Sequence, residues 1–278
     1  MSILLFTILV WLVSVAVGFL GALTGLGGGT LIVPLLTLVF GVNIHYAMGA
    51  SLISVIATSS GAAAAFLREG FTNLRLAMFL QVATTVGAIV GVLLVTHVST
   101  TFIGVVFGVM LLYSAYVSGR LPPEDIATGP ADKHSETFKL NGVYPAAQGH
   151  QPYKVQHVAG GFGVMFTAGV VSSLLGIGSG ALKVLGMDRI MRIPFKVSTT
   201  TSNFMIGVTA AAGAGSYLKL GYIQPTVTMP VMLGVLLGSM LGARVLVRAE
   251  TRILRIVFAV LIGITGIEMI YKAVTGGV

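Results

Sequence analysis

Long apolar stretches separated by short polar breaks fill the chain, and most of the stretches share one length. Runs at about 46–67, 75–95, 100–118, 196–218, 225–247 and 251–273 each hold roughly 20 residues, enough for a helix to cross a hydrocarbon layer about 30 Å thick. Two further runs, at about 2–40 and 158–190, are too long for one crossing. Each is interrupted by glycine, at Thr24-Gly25-Leu26-Gly27-Gly28-Gly29 and at Leu175-Gly176-Ile177-Gly178-Ser179-Gly180. Glycine disfavours helix by about 1 kcal/mol per residue, so a turn inside the membrane is expected at both places. The piece after each turn, about 12 residues, reaches halfway across. Strict alternation of apolar and polar positions is missing, which excludes a barrel. The pattern predicts an all-α polytopic membrane protein.

The pattern also repeats. Shifting the chain by 151 residues lays its first half on its second without a gap over roughly a hundred positions. Gly18, Gly25, Gly27 and Gly29 fall on Gly169, Gly176, Gly178 and Gly180, and Ser51, Thr58 and Gly70 fall on Ser202, Thr209 and Gly221. Each half is expected to hold a Gly-rich broken or re-entrant first helix followed by three spans. The divisions are 1–118, a polar connecting loop at 119–156, and 157–278. Repeats of this size are the usual plan of secondary transporters, with the substrate held where the halves meet.

Composition agrees with burial in lipid: 55% of the residues are apolar and 9% charged, and the 37 glycines suit close packing between membrane helices. The absence of cysteine excludes disulfides and thiolate chemistry. A net charge of +8 raises nucleic acid as a partner, but no basic face is interleaved with aromatic residues. Topology accounts for the charge. With re-entrant first segments each half makes an odd number of crossings, and the halves become inverted. Fourteen of the 16 Lys and Arg then fall on one side, with only Lys219 and Lys272 on the other. The positive-inside rule puts the loop in the cytoplasm and both termini outside, across a bacterial inner membrane. The apolar start has no Lys or Arg before Arg68, lacks the basic region of a signal peptide, and is read as structure.

Candidate chemistry is confined to a few positions. Half-helices that begin inside the membrane point unpaired N–H groups and a positive dipole end at the break, which suits a small anion. Gly25, Gly27, Gly28 and Gly29, with Gly176, Gly178, Ser179 and Gly180, are therefore candidate ligands. Ser51 follows in the next span, and Thr199, Thr200 and Asn203 share one helical face in its counterpart. Lys183 lies one turn beyond Gly180, deep in the membrane, where a cation marks function or snorkels to the cytoplasmic surface, here beside Asp188. Its counterpart in the first half is Ile32. Glu268 precedes Lys272 by four residues, the spacing of a helical ion pair. His134, His150 and His157 are loosely spaced, so neither a metal nor another cofactor is expected. Paired carboxylates or a Ser-His arrangement are lacking inside the spans, so no enzyme and no catalytic residue is expected. An anion transporter fits these residues, with an anion channel as the alternative; oligomeric state is open.

At these same residues the chain resembles the sulfite exporter TauE/SafE family. The likeness rests on Gly25-Leu26-Gly27-Gly28-Gly29 followed by Pro34, on Ala47-Met48-Gly49-Ala50-Ser51, on Gly176-Ile177-Gly178-Ser179-Gly180, and on Pro194 with the Thr-rich segment after it. It implies secondary transport of small sulfur-containing oxyanions of the sulfite, sulfonate or sulfoacetate type. Two departures stand out. Ser179 replaces a glycine usual in the second motif, and Leu185 stands where the first half has Pro34.

Overall fold

The computed structural model describes residues 3–24, 28–68, 70–95, 97–119, 132–146, 149–246 and 251–275. Helix dominates. The first half comprises α1 (Ile3–Thr24), a short α2 (Gly29–Pro34) that continues as a π-helical turn (Leu35–Val39), then α3 (Ile44–Arg68), α4 (Leu74–Val95) and α5 (Thr100–Gly119). After a one-turn α6 (Lys133–Thr137) and a hairpin of β1 (Gly142–Ala146) and β2 (Gly149–Tyr153), the second half follows the same order. It consists of α7 (Val158–Leu175), α8 (Gly180–Leu185) with a π-turn (Gly186–Ile190), α9 (Phe195–Lys219), α10 (Pro225–Leu246) and α11 (Thr251–Thr275). Among the described residues four helices, α1, α4, α7 and α10, are long and apolar enough to cross a membrane.

Of the long helices outside that set, α3 and α9 are rich in hydroxyls and pack on each other. Their hydroxyls turn back on their own helix: Thr58 Oγ1 donates to the Ser54 carbonyl at 2.8 Å, Ser54 Oγ to Ala50 at 2.7 Å and Thr209 Oγ1 to Met205 at 2.9 Å. Internal bonding of this kind lets a polar sequence run through an apolar medium without orphaned donors. The pair is antiparallel, since Ser59 meets Asn203 and Gly207 while Leu52 faces Gly213. Helices α5 and α11 are antiparallel too, with Gly108 against Ile270 and Gly263 against Ala115.

Glycines set the closest helix approaches. Gly234, Gly238 and Gly242 of α10 press on the backbone of Trp11, Val15 and Phe19 of α1, so these two helices run parallel. In the same way Gly87 and Gly91 of α4 press on Phe166 and Val170 of α7. Gly18 lies on the backbone of Val235, and Gly169 on that of Thr84. A Cβ at any of these positions would meet main chain, which cannot move aside as a side chain can.

Ring centroids of Phe6, near the start of α1, and Phe40, just past the first π-turn, are 5.5 Å apart, so both ends of the 3–40 segment lie together. Tyr222 stacks on His45 and Tyr46 at this same end, and Lys272 Nζ donates to the Leu38 carbonyl at 3.1 Å. Lys272 thus bonds to that carbonyl, and no Glu268–Lys272 ion pair forms among the described residues.

At the opposite end lies the connector. The sequence reads 119–156 as an exposed loop within an all-α fold, yet its described part carries a β-hairpin and a small apolar core. Leu140, Tyr144, Tyr153 and Val155 are buried with Leu76, Leu80, Met187, Met191 and Val197. Burying Leu140 and Val155 contributes about 1.5–3 kcal/mol each. Asn73 fastens this unit to α4: its Nδ2 donates to the Leu140 carbonyl and to Tyr153 Oη, both at 2.8 Å, while its Oδ1 caps Leu76 N–H at 3.0 Å. Burial pushes the Tyr153 phenol up to about 12. Asp132 accepts from the N–H groups of His134 and Val158, and these bonds hold its carboxyl below the usual carboxylate range.

Candidate functional site

Three of the four residues between the end of α7 and the start of α8 take left-handed backbone conformations. Gly176 has φ +68°, Gly178 +73° and Ser179 +48°. Glycine meets this demand without a Cβ penalty, whereas Ser179 carries a cost of about 1–2 kcal/mol. That explains physically why glycine at 179 would be the easier residue. Gly25 and Gly27 lie outside the described residues.

The two breaks touch at the middle of the molecule. A Cβ on Gly29 would lie 2.9 Å from Ser51 Oγ and 3.4 Å from the Ile177 carbonyl; one on Gly178 would lie 2.8 Å from Ile206 and 3.0 Å from Val55. Gly28 sits 3.5 Å, measured in the same way, from Thr58 Oγ1. A matched pair of clasps pins the half-helices to the long ones: Ser51 Oγ donates to the Gly29 carbonyl at 3.2 Å, and Ser202 Oγ to Gly180 at 3.3 Å. Both half-helices then loosen into π-turns, at Leu35 after Pro34 and at Gly186 after Leu185. The departure at Leu185 therefore leaves the local shape unchanged.

Of the hydroxyl and amide candidates, Ser51 spends its proton on its clasp and Thr200 spends its own on the Lys196 and Val197 carbonyls. The others keep polar atoms in reserve. Ser179 Oγ, Thr199 Oγ1 and Asn203 Nδ2 are buried without a hydrogen-bond partner among the described residues. Ser59 Oγ inserts beside this face, donating to the Asn203 carbonyl at 2.6 Å and accepting from Gly207 N–H at 3.1 Å.

Lys183 is fully buried. Its Nζ donates to Thr209 Oγ1 at 2.7 Å, and no carboxylate lies within ion-pair distance among the described residues. Asp188 pairs with Arg189 at 3.5 Å, and the fully buried Lys183 side chain does not reach the protein surface. Thr209 is a hub, which also accepts from Gln81 Nε2 at 3.1 Å and stands 3.3 Å from Thr84 Oγ1. Gln81 and Thr84 are not legible as partners of Lys183 in the sequence. The one available signal is that Gln81 is the sole amide in the apolar span of α4. Positions 203 and 209 are about 120° apart around α9, and among the described residues the Lys183 ammonium bonds to Thr209 and not to Asn203, Thr199 or Ser179. Lys183 of α8 thus meets a different face of α9 from the one that carries Thr199 and Asn203.

Helices long and apolar enough to span a membrane, packed around a buried cation, point to a multi-pass membrane transporter. The chain belongs to the sulfite exporter TauE/SafE family, whose family model matches residues 10–269. It is similar to the probable membrane transporter protein YunE of Bacillus subtilis, 26% identical over 97% of this chain and 98% of the relative. It is also similar to YdhB of the same organism, 25% identical over 83% and 85%, and to a probable membrane transporter of Methanocaldococcus jannaschii, 24% identical over 93% of each. No solved structure matches.

Proposed function

We propose that the protein is a secondary transporter of small sulfur-containing oxyanions, of the sulfite, sulfonate or sulfoacetate type, across the bacterial inner membrane. The observation that carries this reading is Lys183, a fully buried cation bonded to a hydroxyl and facing no carboxylate among the described residues. An isolated charge in a low-dielectric interior is costly, and a substrate anion is the natural compensation. Membership of a sulfite exporter family supports the sulfur class.

The architecture we infer is two inverted repeats, 1–118 and 157–278, each opening with a re-entrant hairpin. Antiparallel pairing of α3 with α9 and of α5 with α11 supports inversion, because counterpart helices related by an in-plane axis must run in opposite senses. The connector and the basic residues near it face the cytoplasm, and both termini face outward. The glycine segments, with Ser179, Lys183, Thr199 and Asn203, form the substrate region; Ser51 and Thr200 support it through their backbone bonds. None has a catalytic role.

Purified protein in liposomes, offered sulfite, sulfate, thiosulfate and sulfonates, tests the reading. Saturable uptake with counterflow of a sulfur oxyanion is expected. Large unitary currents would establish the channel alternative, and no flux of any of them would end the proposal.

A further inference from the structure

We infer that Gln81, Thr84 and Thr209 join Lys183 in one off-axis site for a monovalent oxyanion. The inference rests on the transporter reading and narrows its substrate class. Two strong donors, the Lys183 ammonium and the Gln81 amide, converge on the single oxygen of Thr209 at 2.7 and 3.1 Å. Convergence of a cation and an N–H on one oxygen is the arrangement an oxyanion's oxygen requires. Thr84 Oγ1, 3.3 Å from Thr209 and donating to the Gln81 carbonyl at 3.0 Å, places a hydroxyl on the α4 side, and Gln81 Oε1 is buried with no partner among the described residues. That last atom suits the O–H of hydrogensulfite; a simple sulfonate brings no donor to it.

The site occurs once. Gly18 packs on Val235 as Gly169 packs on Thr84, so Val235 is the counterpart of Thr84 in the other half. The remaining counterparts are Ile32 for Lys183, Met232 for Gln81 and Thr58 for Thr209. Ile32 and Val235 are buried apolar residues that bring neither a cation nor a hydroxyl. Only one of the two symmetry-related places can therefore hold charge.

Charge balance selects the valence. No Asp or Glu occurs in α4, α7, α8 or α9, the four helices around Lys183. Their basic residues, Arg75, Lys196 and Lys219, stand at helix ends, and the adjoining Asp188 is paired with Arg189. One buried positive charge neutralises one negative charge, whereas a dianion would leave a net charge in the interior. Hydrogensulfite and simple sulfonates fit; sulfate, thiosulfate and sulfoacetate do not.

Equilibrium binding of radiolabelled methanesulfonate and sulfate to the purified full-length chain tests this, with hydrogensulfite as competitor in mildly acid buffer. The two monoanions should bind at least about tenfold tighter than sulfate, and Gln81→Met and Thr84→Val should each weaken them about tenfold. The counterpart changes Met232→Gln and Val235→Thr should leave binding as it is. Size-exclusion profiles check that each variant folds. Sulfate binding as tight as methanesulfonate would overturn the valence, and wild-type affinity in both α4 variants would overturn the four-residue site. If those variants bind normally while Lys183→Gln does not, the transporter reading stands without this site; if the wild type binds no oxyanion, both fall.

Discussion

Replacing Gly178 by alanine separates two costs that the structure assigns to the second glycine break. The first is conformational. At φ +73° a Cβ costs about 1–2 kcal/mol. The second is steric, since the new Cβ would stand 2.8 Å from Ile206 and 3.0 Å from Val55 in the packed centre, an overpacking worth about 1–3 kcal/mol. Gly178→Ala is therefore expected to destabilise by about 2–5 kcal/mol. Gly41→Ala is the control, because Gly41 has φ +65° with nothing within 4 Å of the added atom, so it should show the conformational cost alone. Thermal unfolding in detergent reads the difference. At about 2–4 °C per kcal/mol for a chain of this size, Gly178→Ala should melt several degrees below Gly41→Ala. Equal midpoints would mean that the break is not packed at its centre and would refute the reasoning.

Removing the Asn73 side chain (Asn73→Ala) takes away the cap on Leu76 and both bonds to the connector, a loss of about 0.5–2 kcal/mol for the cap alone, and should speed limited proteolysis within 132–156. Wild-type resistance would mean that the connector is held by its apolar core alone. The raised Tyr153 phenol makes connector docking alkali-sensitive: the native state holds the proton more tightly, so its contribution is full below the ordinary value of 10.0 and is lost as pH rises from there through about 12. Tyr153→Phe should lack that loss in a pH series followed by proteolysis. In a cysteine-free chain, Asn43→Cys should react with an impermeant thiol reagent from the periplasm and Lys133→Cys from the cytoplasm; reaction of Asn43→Cys only from the cytoplasm would exclude the inverted arrangement.

Helix positions were legible because lipid imposes a fixed apolar length and glycine runs punctuate it. The restarts at Gly29 and Gly180 and the long helices ending near Arg68 and Lys219 follow from those two signals. The depth of Lys183 was legible too, as a residue one turn past a break. Connector structure was not, because its composition is polar overall and its core depends on Leu140 and Val155 meeting methionines from α7, α9 and the π-turn. Hydroxyl roles were also hidden. Ser51 and Ser179 look alike in sequence, and only the placement of the Gly29 carbonyl commits one of them while the other stays unpaired. The Lys183–Thr209–Gln81 convergence draws on three separated helices, a coincidence no local spacing announces.

The most direct test of the central claim is the concentration dependence of sulfur-oxyanion uptake into proteoliposomes by the wild type and by Lys183→Gln. Glutamine keeps the length and hydrogen bonding of the side chain but removes the charge that has no carboxylate partner among the described residues. The account predicts saturable, counterflow-competent uptake by the wild type and a KM raised at least tenfold in Lys183→Gln, on the order of the 1.5–3 kcal/mol of a hydrogen bond to a charged group, with normal insertion and partial recovery in Lys183→Arg. An unchanged KM in Lys183→Gln would contradict it.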